Sequence, residues 1–222
     1  MKISIRNGSK SYKKNEVLKN VEADFLPGKI VAVLGVNGSG KTTLLELIYG
    51  ILALDEGEVT YDGEIYDIEN LERRRKLFYL PYEPPFGGSH NLSGLSFIAE
   101  MAKIWKCEEK PNLVDEILAR VELFGISEVM HRPINQLSRG EQYKVALTAF
   151  FSLGTELCLF DEPFSSGIDA PGADAFRAEC RQAAKEGKTI IFTTQFTELV
   201  DRFADQICRI EGSALTMEEV KV

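Results

Sequence analysis

The segment Gly35-Val36-Asn37-Gly38-Ser39-Gly40-Lys41-Thr42 fulfils the pattern G-x-x-x-x-G-K-[ST] in full, and it constrains the fold more than any other stretch of the chain. Residues 29–34 before it form a β-prone apolar run. After it, Leu44, Leu45, Leu47 and Ile48 recur at helical spacing over residues 41–49. The glycines let the backbone bend tightly around an anion, so that successive N–H groups point at phosphate oxygens. The start of the helix adds orphan donors and a partial positive charge. Lys41 is long enough to reach terminal phosphates, and the Thr42 hydroxyl is a ligand for Mg²⁺. An ordinary glycine-rich turn would account for the glycines alone. It would not require a strand on one side and a helix on the other.

The last third of the chain repeats the same alternation. Residues 157–160, 189–193 and 206–210 read as strands, with helices over 173–185 and 197–203. Short, all-apolar strands separated by helices imply a parallel sheet covered on both faces. The first part is richer in strand: residues 3–6, 17–25 and 29–34 are punctuated by Asn7-Gly8 and Pro27-Gly28, and 57–61 and 77–80 follow. Pro81, Pro84, Pro85, Gly87 and Gly88 then interrupt both kinds of element. Helices are expected over 96–105, with Trp105 as a core residue, over 113–124 and over 138–151. The expected architecture is α/β. A parallel-sheet core, residues 1–83 and 138–222, carries an N-terminal antiparallel β portion and an inserted helical subdomain over about residues 84–137.

Composition excludes several classes. A chain of 222 residues, 44% hydrophobic and 27% charged, is one globular domain able to bury a core. A net charge of -8 argues against nucleic acid as a partner, since phosphate backbones require clustered cations. The basic cluster Arg73-Arg74-Arg75-Lys76 follows Asp67, Glu69 and Glu72 and reads as the end of a short helix, where cations suit the dipole. Cys107, Cys158, Cys180 and Cys208 are scattered without a C-x-x-C pair, as expected of reduced thiols. His90 and His131 lack metal-ligand spacing. No apolar stretch reaches the ~20 residues needed to cross a bilayer, and Met1 to Arg6 alternates like a strand. A soluble chain is expected, so any membrane role requires another polypeptide.

Two further segments carry chemistry. Leu157-Cys158-Leu159-Phe160 runs into Asp161-Glu162-Pro163, a buried strand opening into acids at its carboxyl end, where open α/β sheets place ligands. Asp161 there would hold Mg²⁺, and Glu162 would polarise a water attacking a terminal phosphate. Leu137-Ser138-Arg139-Gly140-Glu141-Gln142 contains a capping box between Ser138 and Glu141, which alone explains a helix start.

Taken together and in this order, the phosphate loop, this segment and Asp161-Glu162 resemble ATP-binding subunits of ABC transporters, over nearly the whole chain. The resemblance implies a P-loop NTPase core of the RecA-like kind, with ATP and Mg²⁺ as cofactors. Gly35, Asn37, Gly38, Ser39, Gly40, Lys41, Thr42 and Thr43 would bind the phosphates, and Tyr12 would stack on adenine. Thr42 and Asp161 would hold the metal, with Glu83 as a further carboxylate, and Glu162 and Gln195 would serve hydrolysis. The segment Ser138, Arg139, Gly140 and Glu141 would face the γ-phosphate held by an opposite subunit, so a homodimer or heterodimer arranged head to tail is expected. Ser166-Gly167-Ile168-Asp169 resembles the loop that communicates across that dimer. The further partner would be a transmembrane permease on a separate chain. That places the protein in the cytoplasm, peripheral on the inner face of the membrane.

Two positions depart from the family pattern. Gln195 stands where a histidine is expected after strand 189–194, and an amide carries neither proton nor charge. Tyr82, followed by Glu83, stands where a glutamine is expected. These departures imply intact ATP binding and slow hydrolysis. The small size and Asp-Glu-Pro-Phe stretch are similar to exporter subunits, including the haem-exporter type. A soluble ABC ATPase outside transport and a weakly hydrolysing regulatory switch remain open alternatives.

Overall fold

The computed structural model describes residues 1–65, 70–84 and 86–220; Asp67, Glu69 and Pro85 lie outside them. The chain divides into two compact units: Met1–Tyr79 with Glu156–Glu162 and Arg181–Val222, and Leu80–Thr155 with Pro163–Cys180.

The first unit contains two sheets. One has the order β2-β1-β4-β5, from β1 (Ile3–Tyr12), β2 (Asn15–Phe25), β4 (Glu56–Tyr61) and β5 (Glu64–Ile65), all antiparallel. The other has the order β10-β9-β3-β8-β7-β6. Its strands are β3 (Ile30–Leu34), β6 (Leu77–Leu80), β7 (Leu157–Phe160), β8 (Thr189–Thr194), β9 (Gln206–Glu211) and β10 (Ala214–Glu219). The β3–β8, β3–β9 and β7–β8 pairs are parallel. Helices α1 (Lys41–Tyr49), α2 (Leu71–Arg74) and α7 (Thr197–Phe203) join them. Central strands β3, β7 and β8 are buried along their whole length, which is why their sequences do not alternate polar and apolar residues, although β8 begins and ends in buried threonines. Leu44, Leu45, Leu47 and Ile48 bury the inner side of α1 in the same core as Val31, Val33, Leu157, Leu159 and Ile191. Each such side chain contributes about 1.5–3 kcal/mol, so the helix that begins at Lys41 is firmly anchored.

The first sheet differs from the sequence reading at Asn7-Gly8. β1 does not stop there: its pairing with β2 shifts register between Ile5 and Gly8 and continues to Tyr12, with Asn7 at φ 50°. An extra residue is absorbed as a bulge. β10 was not expected at all. Among the described residues it is an edge strand paired with β9, and its polar outer positions hide the strand pattern.

The second unit is helical: α3 (Gly94–Ile104), α4 (Leu113–Leu123), α5 (Arg139–Ser152) and most of α6 (Ala170–Lys185). Residues Tyr143 to Ser152 of α5 are all buried, so this helix is the unit's core and is grouped with the insert that the sequence suggested over residues 84–137. Phe176 packs edge-on to Phe164, ring centres 5.5 Å apart. α6 starts three residues before the expected 173, because the Asp169 carboxylate accepts the Gly172 N–H at 3.0 Å, and Pro171 is tolerated in a first turn. Trp105 is not a fully buried core residue: it caps the end of α3 half-buried, where Lys106 at φ 54° turns the chain out of the helix. Among the described residues no helix is long and apolar enough to cross a membrane.

Candidate active site

β3 delivers the phosphate loop at the carboxyl edge of its sheet, with Leu34 paired to Thr194 of β8 and Arg209 of β9. Gly40 turns the loop into α1 at φ 102°, a left-handed conformation only glycine adopts easily. A Cβ at Gly40 would stand 2.4 Å from Val17 Cγ1. No side chain caps α1, so its first-turn N–H groups are left for an acceptor from outside. Lys41 is buried; its Nζ donates to the carbonyls of Gly35 at 3.0 Å and Val36 at 3.2 Å, and pairs with Glu162 Oε1 at 3.3 Å. The ammonium is thus held on its own loop, beside the carboxylate that follows β7.

The two acids are placed by hydroxyls. Thr42 Oγ1 donates to Asp161 Oδ2 at 2.8 Å, and Thr193 Oγ1 donates to Asp161 Oδ1 at 2.6 Å. The same Thr193 oxygen accepts the Glu162 N–H at 2.7 Å. Glu162 lies at φ 48°, a conformation unfavourable for a side-chain-bearing residue. Thr193 was not singled out from the sequence; the available signal was a threonine at the buried carboxyl end of an otherwise apolar strand. Thr42 and Asp161 bring two hard oxygen donors together, the donor set Mg²⁺ prefers.

Glu46 and Tyr79 were also missed. Glu46 lies one turn beyond Thr42 on the same face of α1. Burial, then the negative charge of Asp161, raises its carboxyl above the usual glutamate range. Burial first, then Asp161 and Glu46, likewise raises the Tyr79 phenol.

Other expected residues fall around this centre. Gln195 leaves β8 directly after Thr194, at the level where Gly35 leaves β3, and its side chain is exposed. Ser39 has a buried hydroxyl with no hydrogen-bond partner among the described residues, whereas Asn37 and Gly38 are exposed. Thr43 is half-buried. Tyr12 ends β1 opposite Asn15, 45% exposed, with Lys10 Nζ 5.9 Å from its ring centre; a half-open ring on a hairpin tip is available for stacking.

The second unit holds the remaining residues. Ser138 caps α5: its Oγ accepts the Glu141 N–H at 3.3 Å, and its own N–H donates to Glu141 Oε2 at 2.7 Å. These bonds from Ser138 hold the Glu141 carboxyl below its usual range. Gly140 presses on the following loop so closely that a Cβ would sit 2.3 Å from the Gly167 carbonyl oxygen. Asp169 pairs with Lys144 at 2.7 Å, and that contact first of all lowers its carboxyl. Arg139 lies over the Tyr82 ring, 3.9 Å from its centre. Glu83 lies in the exposed turn after β6.

Known proteins resemble this chain along nearly its whole length. The profile of the family described as ABC transporter matches residues 18–165. A putative ABC transporter ATP-binding protein of Methanosarcina acetivorans is 30% identical over 95% of this chain and 39% of its own. The sulfate/thiosulfate import ATP-binding protein of Thermosynechococcus vestitus is 32% identical over 93% and 60%. The chain therefore spans less than two thirds of the length of each of these two relatives. A lantibiotic transport ATP-binding protein of Streptococcus pyogenes is 26% identical over 98% of this chain and 90% of its own. Among solved structures, an ATP-binding subunit of an ABC transporter superposes with a TM-score of 0.90 at 20% identity, covering 99% of this chain and 90% of that one. A dimeric ATP-binding cassette bound to ADP and phosphate gives 0.83 at 24% identity and 99% of both chains. At that level of identity the structures establish the fold.

Proposed function

The chain belongs to the ABC transporter ATP-binding family, and from that premise we propose that it binds and hydrolyses ATP at residues 35–42, closing head to tail with a second ATPase subunit to drive a separate transmembrane permease. The observation that carries this reading is the junction of a complete phosphate loop with a carboxylate pair, Thr42 to Asp161 at 2.8 Å and Lys41 to Glu162 at 3.3 Å. A phosphate arriving at the uncapped start of α1 exchanges with the loop carbonyls for the Lys41 ammonium. Gly35, Asn37, Gly38, Ser39, Gly40 and Thr43 line its path, and Tyr12 stacks on the base. Thr42 and Asp161 would hold Mg²⁺, which screens charge on the phosphates, with Glu83 as an additional carboxylate. Glu162, its backbone held by Thr193, accepts a proton from the attacking water. Gln195 offers an uncharged hydrogen bond to the γ-phosphate.

Ser138, Gly140 and Glu141 close over the nucleotide of the other subunit, and Asp169 lies in the loop behind them. The working position is peripheral, on the inner face of a membrane, with the permease as anchor.

Calorimetry with ATP and Mg²⁺ tests binding, and absence of affinity overturns the reading. Gln195 supports one qualification, that turnover is slow. Gln195→His is expected to speed hydrolysis; a decrease from an already rapid rate would refute that qualification and leave binding untouched.

A further inference from the structure

Residues four apart share one helix face, and helical side chains lean back toward the helix start. On α1 this aims Glu46 toward Thr42, whose hydroxyl holds Asp161. Among the described residues the Glu46 carboxylate takes no hydrogen bond and no ion pair, and the charged group that acts on it is Asp161, of the same sign. Asp161 is itself buried, and hydroxyls meet its two oxygens, Thr42 at 2.8 Å and Thr193 at 2.6 Å. Hydroxyls supply donors without charge. The Lys41 ammonium is committed to Glu162 and to the loop carbonyls. Among the described residues neither Asp161 nor Glu46 has a basic partner.

An acid with no task on a helix face leans out into water. Glu46 is half-buried instead. Tyr79 of β6 stands by both acids, its ring set against Tyr49 with centres 5.6 Å apart. All these residues belong to the first unit. A divalent cation relieves the repulsion between two such carboxylates and stabilises both in their ionised form. Mg²⁺ keeps several of its waters when bound, and acceptors beyond its direct ligands orient them. Thr42 is short and Glu46 stands about 6 Å further along the helix axis, which suits a contact to a coordinated water.

We propose that Glu46 is a positioning residue for the divalent cation of the ATP site, accepting a hydrogen bond from a water coordinated to that ion. This rests on the Mg²⁺ site proposed above at Thr42 and Asp161, and adds to it a carboxylate from the same unit. Glu83, the further carboxylate expected from the sequence, lies in an exposed turn of the other unit. Glu46 thus supplies an acceptor on the metal side of a site where Tyr82 replaces the expected glutamine.

The test uses the full chain with ADP, which excludes turnover, and Mn²⁺ as a paramagnetic substitute for Mg²⁺, its affinity read by electron paramagnetic resonance. Glu46→Gln is expected to weaken Mn²⁺ binding to the ADP complex about tenfold. Calorimetry with ADP and a chelator should show metal-free nucleotide affinity unchanged or improved. Without metal, the urea midpoint of the variant should equal or exceed that of the parent, since a carboxylate facing Asp161 has been neutralised. Glu46→Asp, which keeps the charge on a shorter arm, should recover part of the Mn²⁺ affinity. Asp161→Asn serves as the reference and should weaken Mn²⁺ binding at least as much as Glu46→Gln. A Mn²⁺ affinity unmoved by Glu46→Gln but lowered by Asp161→Asn overturns the proposal alone. So does a loss of Mn²⁺ affinity matched by an equal loss of metal-free ADP affinity, which would make Glu46 a structural support of α1. If Asp161→Asn also leaves Mn²⁺ binding intact, the metal site itself is misplaced and Glu46 falls with it.

Discussion

The loop at residues 35–42 and the segment at 138–141 both present the start of a helix, yet they treat their polar groups in opposite ways. In the first, the functional side chains are engaged with one another: Lys41 with Glu162, Thr42 with Asp161, Asp161 with Thr193. α1 lacks a side-chain cap, so the donors left over are backbone ones at its own start. In the second, the helix is capped by Ser138 and Glu141, and what is left over is a side-chain cation, Arg139, on an aromatic ring. Carboxylates follow the same division. Glu46 is pushed up by burial beside Asp161, whereas Glu141 is pulled down by hydrogen bonds from Ser138. A preassembled set of groups suits chemistry on a ligand held by the same chain. A capped helix with one spare cation suits a ligand brought by another.

The sharpest way to break this contrast is to separate chemistry from binding in the first region. Glu162→Gln keeps the shape and removes the proton acceptor. Turnover should fall by about 10²–10⁴-fold with ATP affinity in calorimetry nearly unchanged. A variant that still turns over at more than a tenth of the wild-type rate would mean that Glu162 is not the base.

Thr193→Val comes next. The hydroxyl is fully buried, donates to Asp161 and accepts from the Glu162 N–H, so its removal orphans a charged oxygen and a buried donor. The expected cost is about 1–3 kcal/mol of stability, read from the urea midpoint, together with slower hydrolysis. Thr193→Ser should recover most of both. Equal behaviour of the Val and Ser variants would show that the acids need no such support.

The phosphate loop, the all-apolar strands and the capping box were legible in the sequence because each is specified by neighbours in the chain. Thr193 was not, because its role depends on which residue of β7 it meets: Phe160 pairs with Phe192, and only that register sets Thr193 beside Asp161. Tyr82 read as a missing glutamine, and its contact with Arg139 needed the fold to bring two distant segments together. β10 was hidden by the polar outer face of an edge strand, and the Asn7-Gly8 bulge by turn residues that here bend a strand without ending it.

Gly140→Ala tests the second region by shape. The new methyl would meet the Gly167 carbonyl oxygen at 2.3 Å, and backbone on both sides cannot yield cheaply. Overpacking of about 1–3 kcal/mol should appear as weaker ATP-induced dimerisation by sedimentation, with monomer ATP affinity unchanged. Loss of monomer affinity instead would place residues 138–141 at the chain's own nucleotide and dissolve the contrast.

The smallest effect is a pH dependence of the cap. The folded Glu141 carboxyl titrates below its unfolded value, held there by Ser138, so the folded state binds fewer protons and the carboxylate stabilises it above the unfolded value. That contribution is lost as pH falls through the glutamate range toward the folded value. Glu141→Gln keeps an acceptor for the Ser138 N–H and removes the charge, at a cost at neutral pH of about 1 kcal/mol or less. Urea midpoints of the two proteins should therefore differ most near pH 7 and converge as the solution is acidified. A gap that stays constant with pH would mean that the Glu141 charge adds nothing to the cap, and that the second region owes its form to the Ser138 hydroxyl and to packing against Gly167.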